Sequence, residues 1–290
     1  MPEGHTLHRL ALDLTAAFGG RVVRSSSPQG RFADGAAVLD GAVFAGAEAW
    51  GKQLFCRLAG SGTGPEHLVQ VHLGLIGTFA VQVLPDDAAV PAPVGQVRWR
   101  LATDPADPGP VGVADLRGAI TCALLTPAER DVVVAGLGPD PLRADADPDR
   151  AWERIRRSRI AIGALLMDQS VLAGVGNVYR AEVLFRQRLD PRRPGSSLRR
   201  SQWQAIWDDL VELMPEGVRL NRIDTVRPEH TPEAMGRPPR QDDHGGEVYV
   251  YRRHGQPCLV CGRRVRTEVM AGRNLFWCTR CQPAYRPRGR

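Results

Sequence analysis

Three groups of residues in this sequence have types and spacing suited to chemistry, and the first is the opening Met1-Pro2-Glu3-Gly4. A chain beginning Met-Pro commonly loses its methionine, which turns the proline nitrogen from an amide into a free secondary amine. An α-amino group titrates near ~8, so part of it is unprotonated at neutral pH, whereas a lysine near ~10.4 must first be desolvated. Such an amine attacking an aldehyde-like carbon gives a cationic iminium, which acidifies the adjacent C–H and opens a route to elimination. Glu3 places a carboxyl beside it, suited to moving the protons. The plainer alternative is that proline is common at position 2 and chain termini are usually solvated.

The second is Lys52. Of the 38 basic residues 37 are arginine, so Lys52 is the one lysine of the chain. With abundant Ala, Gly and Pro, this bias fits GC-rich coding that turns lysine to arginine wherever the two are interchangeable. Lysine differs in being a compact ammonium able to release its proton when buried, while arginine is a permanent planar fork. The competing explanations are chance survival and packing of the lysine stem.

The third group is Cys258-x-x-Cys261, sixteen intervening residues, and Cys278-x-x-Cys281. Four thiolates at this spacing close a tetrahedral structural zinc site with no position left for substrate. Two disulfides are the rival, disfavoured for an intracellular chain. Cys56 and Cys122 lie far away and read as buried apolar residues.

These groups need elements to hold them. A length of 290 residues fits about two domains, and 43% apolar residues suffice for real cores. Net charge +6 and pI ≈ 9.3 favour an anionic partner such as nucleic acid. The absence of a long apolar run and of a signal-peptide pattern is expected of a soluble, unexported, cytoplasmic chain with no membrane partner. Leu7, Leu10, Ala11, Leu14 and Phe18 have helical spacing and stop at Gly19-Gly20, which puts Pro2 and Glu3 at the head of an amphipathic helix. Short β-rich runs follow at 21–25, 54–58, 67–73, 77–84, 97–103 and 120–125, the pattern of a sandwich or barrel-like β domain. Within it His72-Leu73-Gly74-Leu75-Ile76-Gly77 ends a strand in a tight turn, ordinary by itself.

From Thr126 the composition shifts, and residues 136–142 read as an interdomain connection. Asp147-Pro148 caps a helix through Trp152 and Ile155. A helix over 162–173 ends at Gly174, and Gly176-Asn177 opens the next through Phe185. This is a tight helix-turn-helix whose second N-terminus offers amides to a phosphate, although Asn177 as a simple cap explains the residue too. Trp203, Ile206, Trp207, Leu210 and Leu213 mark a further amphipathic helix with its aromatics in the core. Residues 222–246 read as a long mobile loop, 249–253 as a strand, and 263–269 with 274–277 as a hairpin carrying Ala271-Gly272-Arg273 at its tip.

Together, Met-Pro-Glu-Gly, Gly51-Lys52, His72-Leu73-Gly74, residues 137–142 (Leu-Gly-Pro-Asp-Pro-Leu), the stretch 168–180 from Asp168 to Arg180, and Gly272-Arg273-Asn274 resemble the formamidopyrimidine-DNA glycosylase and endonuclease VIII family, in the family's order and over nearly the whole chain. The resemblance implies an α+β multidomain fold: an N-terminal β-sandwich catalytic domain with its helix (1–128), a linker (129–148), a helix-two-turn-helix DNA-binding domain (149–221), a mobile loop (222–247), a four-cysteine zinc finger (248–283) and a basic tail (284–290), with DNA in a cleft. It implies a monomer acting on damaged double-stranded DNA, with single-stranded or bubble DNA as a further form. Carried over by position, Pro2 is the nucleophile at C1′, Glu3 the general acid/base and Lys52 a proton donor and phosphate contact. Asn177 and Arg273 clamp phosphates flanking the flipped lesion, and His72 adds another phosphate contact. Leu75 matches a wedge residue and Arg117 the arginine facing the orphaned base. One zinc ion holds the Arg273 hairpin.

Some positions depart from the oxidised-purine pattern. Gly4, His5 and Thr6 follow Glu3 as in endonuclease VIII-like members, Thr6 replaces a carboxylate common there, and the aromatic wedge is missing, with Ala119 near its place. The expected activity is therefore excision of oxidised pyrimidines with β,δ-elimination. The alternatives are an oxidised-purine or mainly abasic-site enzyme of the same family, and a non-catalytic zinc-bearing binder of damaged DNA.

Overall fold

The computed structural model describes residues 2–60, 66–241 and 246–287. The chain forms two compact units, Met1–Gly136 and Leu137–Arg290, and the division falls inside the expected linker.

The first unit opens with α1, Gly4–Phe18, whose apolar stripe Leu7, Leu10, Ala11, Leu14 and Phe18 is buried as its spacing requires. Gly20, at φ 76°, takes the left-handed turn that ends it. There follow β1 (Val23–Ser26), α2 (Ala33–Leu39), β2 (Val43–Trp50), β3 (Gln53–Ala59), β4 (Glu66–His72), β5 (Thr78–Leu84), β6 (Val97–Thr103), β7 (Val111–Arg117), β8 (Thr121–Leu125) and α3 (Pro127–Ala135). The strands make two four-stranded antiparallel sheets, ordered β1-β6-β7-β5 and β2-β3-β4-β8. Phe79, Trp99, Leu101 and Leu116 of one sheet share a core with Phe44, Leu54, Leu58 and Val71 of the other, and α1 packs into the same core. That burial fixes the head of α1, hence the place of Pro2 and Glu3. Part of the connector read as linker is α3 itself, closed by a capping box between Thr126 and Glu129.

In the second unit Asp147 caps α4 (Pro148–Ile155) as its sequence indicated. Three expectations need correction. The helix expected over 162–173 stops early, as α5 spans only Ile162–Leu165. Beyond it Asp168 Oδ1 accepts from the Ser170 N–H and hydroxyl, while Gln169 donates to the Met167 and Val175 carbonyls and accepts from the Gly174 N–H. Short polar side chains thus take the backbone groups a helix would use. Gly138 lies against this turn so closely that a Cβ would stand 2.3 Å from the Val171 oxygen, which explains a glycine there.

Second, 249–253 is no strand. The N–H groups of Tyr249, Val250 and Tyr251 all donate to the fully buried carboxylate of Glu182, at 2.7, 2.9 and 2.8 Å. Three successive amides aimed at one anion require a coiled turn, because a strand points them alternately to opposite sides. Glu182 lies on α6 (Asn177–Arg186), so the next segment is tied to that helix.

Third, the stretch from Arg222 is not featureless: after α7 (Arg200–Leu220) it holds a 3₁₀ turn at Pro228–His230 and α8 (Pro232–Met235), capped by Thr231. Arg237 pairs with Glu247 at 2.6 Å. Residues 242–245 of the expected loop lie outside the described residues, as do 288–290 of the expected tail. The hairpin forms as expected, from β9 (Arg266–Met270) and β10 (Arg273–Trp277) in register Met270↔Arg273. Cys258, Cys278, Cys281 and Phe276 share one core with α6 and α7.

Candidate active site and metal centre

Glu3 is the N-cap of α1, extended at φ −120° and ψ −178°, and its carbonyl accepts the Thr6 N–H at 2.9 Å. Its side chain is fully buried, whereas Pro2 is half-buried. A carboxylate at this end of a helix faces the positive pole of the peptide dipoles. Two residues on, His5 is 6% exposed, and burial, then the α-amino charge and His8, lower its pKa to about 4. His5 is therefore neutral at pH 7. Its Nε2 lies 3.4 Å from the hydroxyl of Thr6, the residue that stands where a carboxylate was expected.

Lys52 sits half-buried in the two-residue turn Gly51-Lys52 between β2 and β3, closed by the pair Trp50↔Gln53, with Gly51 at φ 59°. The ring of His72, the last residue of β4, donates from Nδ1 to the Lys52 carbonyl at 2.9 Å. A carbonyl only accepts, so Nδ1 carries the proton in the neutral ring. Thus two residues 20 positions apart in sequence are joined, and His72 has a partner beyond any phosphate.

The β4–β5 turn places Leu75 47% and Ile76 84% exposed. Gly74, at φ 71°, abuts Ile120, which is 67% exposed: a Cβ there would stand 2.4 Å from its Cδ1. Two adjoining turns therefore present three aliphatic side chains to solvent. Ile76 and Ile120 were not among the sequence candidates; the signal was an unbroken aliphatic pair in a turn, where polar residues are usual. Arg117, at the end of β7, folds back along its strand, donating to Asp115 at 2.8 Å and to the Val94 carbonyl at 3.0 Å.

In the second unit Asn177 opens α6 but is only 4% exposed. Its amide donates to the Asn274 carbonyl at 2.9 Å, and its oxygen accepts from the guanidinium of fully buried Arg180. Arg180 also donates to the Met270 and Gly163 carbonyls, at 3.3 Å each. A buried cation needs such acceptors, so Asn177 is committed to the hairpin instead of being presented to solvent. Arg180 was missed as a candidate, although its i+3 spacing from Asn177 was the available sign. The tip of the hairpin is Ala271-Gly272, at φ 51° and 70°, and half-exposed Arg273 is the first residue of β10.

The four cysteine sulfurs of Cys258, Cys261, Cys278 and Cys281 lie within 4.8 Å of one another. The Cys258–Cys281 and Cys261–Cys278 separations are 3.8 and 3.4 Å. Zinc bonded to four sulfurs at ~2.3 Å sets them about 3.8 Å apart, so the donor set fits one zinc ion. Burial pushes the Cys258 thiol up to about 11 and Cys281 up as well, whereas Cys261 is shifted down; a bound metal would hold all of these sulfurs as thiolates. Cys56 and Cys122 are buried with their thiols pushed well up by burial, inert as expected.

Comparison with known proteins accords with this architecture. Residues 1–122 match the formamidopyrimidine-DNA glycosylase N-terminal domain, 137–227 its H2TH domain, and 255–284 the zinc finger found in FPG and IleRS. The chain is 52% identical to Endonuclease 8 1 of Mycobacterium tuberculosis over 282 residues, covering 97% of this chain and 100% of the relative. It is 33% identical to a probable endonuclease 8 2 of Streptomyces coelicolor, covering 100% of this chain and 98% of that one. The fold matches Lactococcus lactis Fpg in complex with abasic-site DNA, with TM-score 0.73 and 23% identity, over 97% of this chain and 100% of that one. The chain belongs to the formamidopyrimidine-DNA glycosylase and endonuclease VIII family and is a zinc-finger DNA-repair enzyme, a DNA glycosylase and abasic-site lyase.

Proposed function

We propose that this enzyme excises oxidised pyrimidines such as thymine glycol and 5-hydroxyuracil from DNA in the cytoplasm, then cleaves the strand by β- and δ-elimination through a Schiff base on Pro2. The observation that carries this reading is Glu3, fully buried at the head of α1 beside half-buried Pro2. The opening Gly4-His5-Thr6 and the 52% identity to Endonuclease 8 1 support the pyrimidine preference.

The lesion nucleotide leaves the stack. The Pro2 amine bonds to C1′ as the C1′–N bond breaks, and the base departs with a proton supplied by Lys52. The Glu3 carboxylate takes the proton from the attacking Pro2 nitrogen and passes it to the ring oxygen, which opens the sugar and leaves an iminium. Loss of a C2′ proton expels the 3′ phosphate, and a second elimination expels the 5′ phosphate. Leu75 with Ile76 and Ile120 fills the vacated stack in place of the missing aromatic, and Arg117 faces the orphaned base. Arg273 holds a phosphate. Asn177 and Arg180 set the hairpin that carries it, and His72 sets Lys52. Zinc, when bound, fixes the hairpin and supplies no step.

Matched duplexes carrying thymine glycol, 5-hydroxyuracil, 8-oxoguanine or a preformed abasic site test the reading. It requires both pyrimidine lesions to be excised at least ~10-fold faster than 8-oxoguanine, a margin pocket contacts readily supply, and phosphate on both sides of the gap. Faster excision of 8-oxoguanine, or products of β-elimination alone, contradicts it.

A further inference from the structure

The outer face of the β1-β6-β7-β5 sheet holds a charged cluster in which Arg117 meets two residues given no role above, Asp115 and Arg100. Asp115 on β7 is the register partner of Arg100 on β6 and of Ala80 on β5, so all three project on one face, and Arg117 follows two residues on. Arg100 is 6% exposed. Its Nε stands 3.5 Å from Asp115 Oδ1, an ion pair too long for a good hydrogen bond. Among the described residues neither Arg100 Nη1 nor Asp115 Oδ1 has a hydrogen-bond partner. Arg117 occupies the other carboxylate oxygen, at 2.8 Å. Beside them lies a cavity of about 240 Å³ lined by Gln82, Val94, Arg100, Asp115 and Arg117.

Here one carboxylate serves two guanidiniums and satisfies one. Arg117 is well bonded but 31% exposed, whereas buried Arg100 donates from Nη2 to the Pro91 carbonyl at 2.5 Å and reaches the carboxylate only through its long contact. Buried ionic groups gain most from a direct partner, because they have no water to fall back on. If Arg117 leaves, Arg100 has only to close a long contact to take up the freed charge, and the adjoining cavity gives it room.

We propose that Asp115 is a positioning residue for Arg117: it parks the guanidinium on the sheet face in the absence of DNA, and Arg100 takes over the carboxylate when Arg117 swings out to the orphaned base. The inference rests on the reading of Arg117 as that contact. The parked state lowers apparent affinity by the fraction of molecules in which Arg117 is free. Asp115 thereby sets how strongly the enzyme discriminates among bases opposite the lesion.

The test measures binding of the holoenzyme to duplexes with a tetrahydrofuran abasic analogue opposite each of the four bases, for wild type, Asp115→Asn, Arg117→Ala and the double variant. Freeing Arg117 in Asp115→Asn tightens binding by roughly 3- to 10-fold, most for the preferred orphan base, if the parked form holds most molecules. That selective gain vanishes in the Arg117→Ala background. Because Asp115→Asn leaves Arg100 buried without an anion, Arg100→Gln/Asp115→Asn is measured alongside, with the net charge of the cluster unchanged and the same gain expected. An equal gain against every base and in both backgrounds reduces the effect to a lost negative charge and overturns the proposal. Unchanged or weaker binding in the Asp115 variants overturns it too, while leaving Arg117's role intact if Arg117→Ala flattens the orphan-base profile. An unaltered profile in Arg117→Ala removes that role and this proposal together.

Discussion

The ring of His72 donates from Nδ1 to the backbone carbonyl of Lys52 over 2.9 Å, so the end of β4 pins the turn that carries the chain's one lysine. Loss of this bond loosens the turn without touching the ammonium. His72→Asn, whose amide reaches a similar position, should keep most excision activity. His72→Leu should lower it about 5- to 10-fold, the worth of one hydrogen bond. Single-turnover excision rates check this, and equal activity in the two variants would show that His72 does not act through Lys52.

Lys52→Arg keeps the positive charge but removes a compact, transferable proton. Excision should fall by roughly 10²-fold or more, as for a lost acid/base group. Cleavage at a preformed abasic site should suffer less, because no base needs protonating to leave. The salt slope of binding should not change, because the phosphate charge count is unaltered. Wild-type excision by Lys52→Arg would end the proton-donor assignment.

Cys278→Ser removes one of the four sulfurs and, with it, the ion. A structural zinc contributes on the order of 10 kcal/mol to such a fold, and these cysteines lie in the core shared with α6 and α7. Metal analysis should find one zinc per wild-type chain and none in the variant, with DNA binding and excision lost together. Active wild-type protein without stoichiometric metal would refute the assignment.

Burial holds the pKa of His5 at about 4, below its ordinary 6.5. The unfolded chain therefore binds the extra proton first, so the stabilisation is fully present above pH 6.5 and is lost as pH falls toward 4. The depression corresponds to about 3 kcal/mol. Denaturant unfolding at pH 7 and pH 4.5 should show a smaller acid loss in His5→Gln than in wild type, and an identical loss would exclude His5 as the source.

The sequence told most where one local pattern decided the outcome. The stripe of α1, the cap at Asp147 and the cysteine spacing needed no knowledge of distant residues. Strands β2 and β7 escaped notice because glycine and alanine blur their alternation: β2 shifts register at Gly46, at φ 144°, and Gly112 of β7 leaves space that Phe18 of α1 fills. The turn at 249–251 was illegible because its cause, Glu182, lies some seventy residues upstream. At the site, residue types were legible and commitments were not: Asn177 carried a visible motif, but its debt to buried Arg180 and to Asn274 exists only in the fold.

The central claim is that the nitrogen of Pro2 becomes covalently bonded to the sugar. Borohydride reduction during reaction with an abasic-site duplex, followed by proteolysis and mass spectrometry of the adduct, tests it most directly. The expected result is a stoichiometric adduct whose DNA remnant maps to Pro2 in chains lacking Met1, and none in chains that retain it. An adduct mapping to Lys52, or no adduct from correctly processed protein, would contradict it.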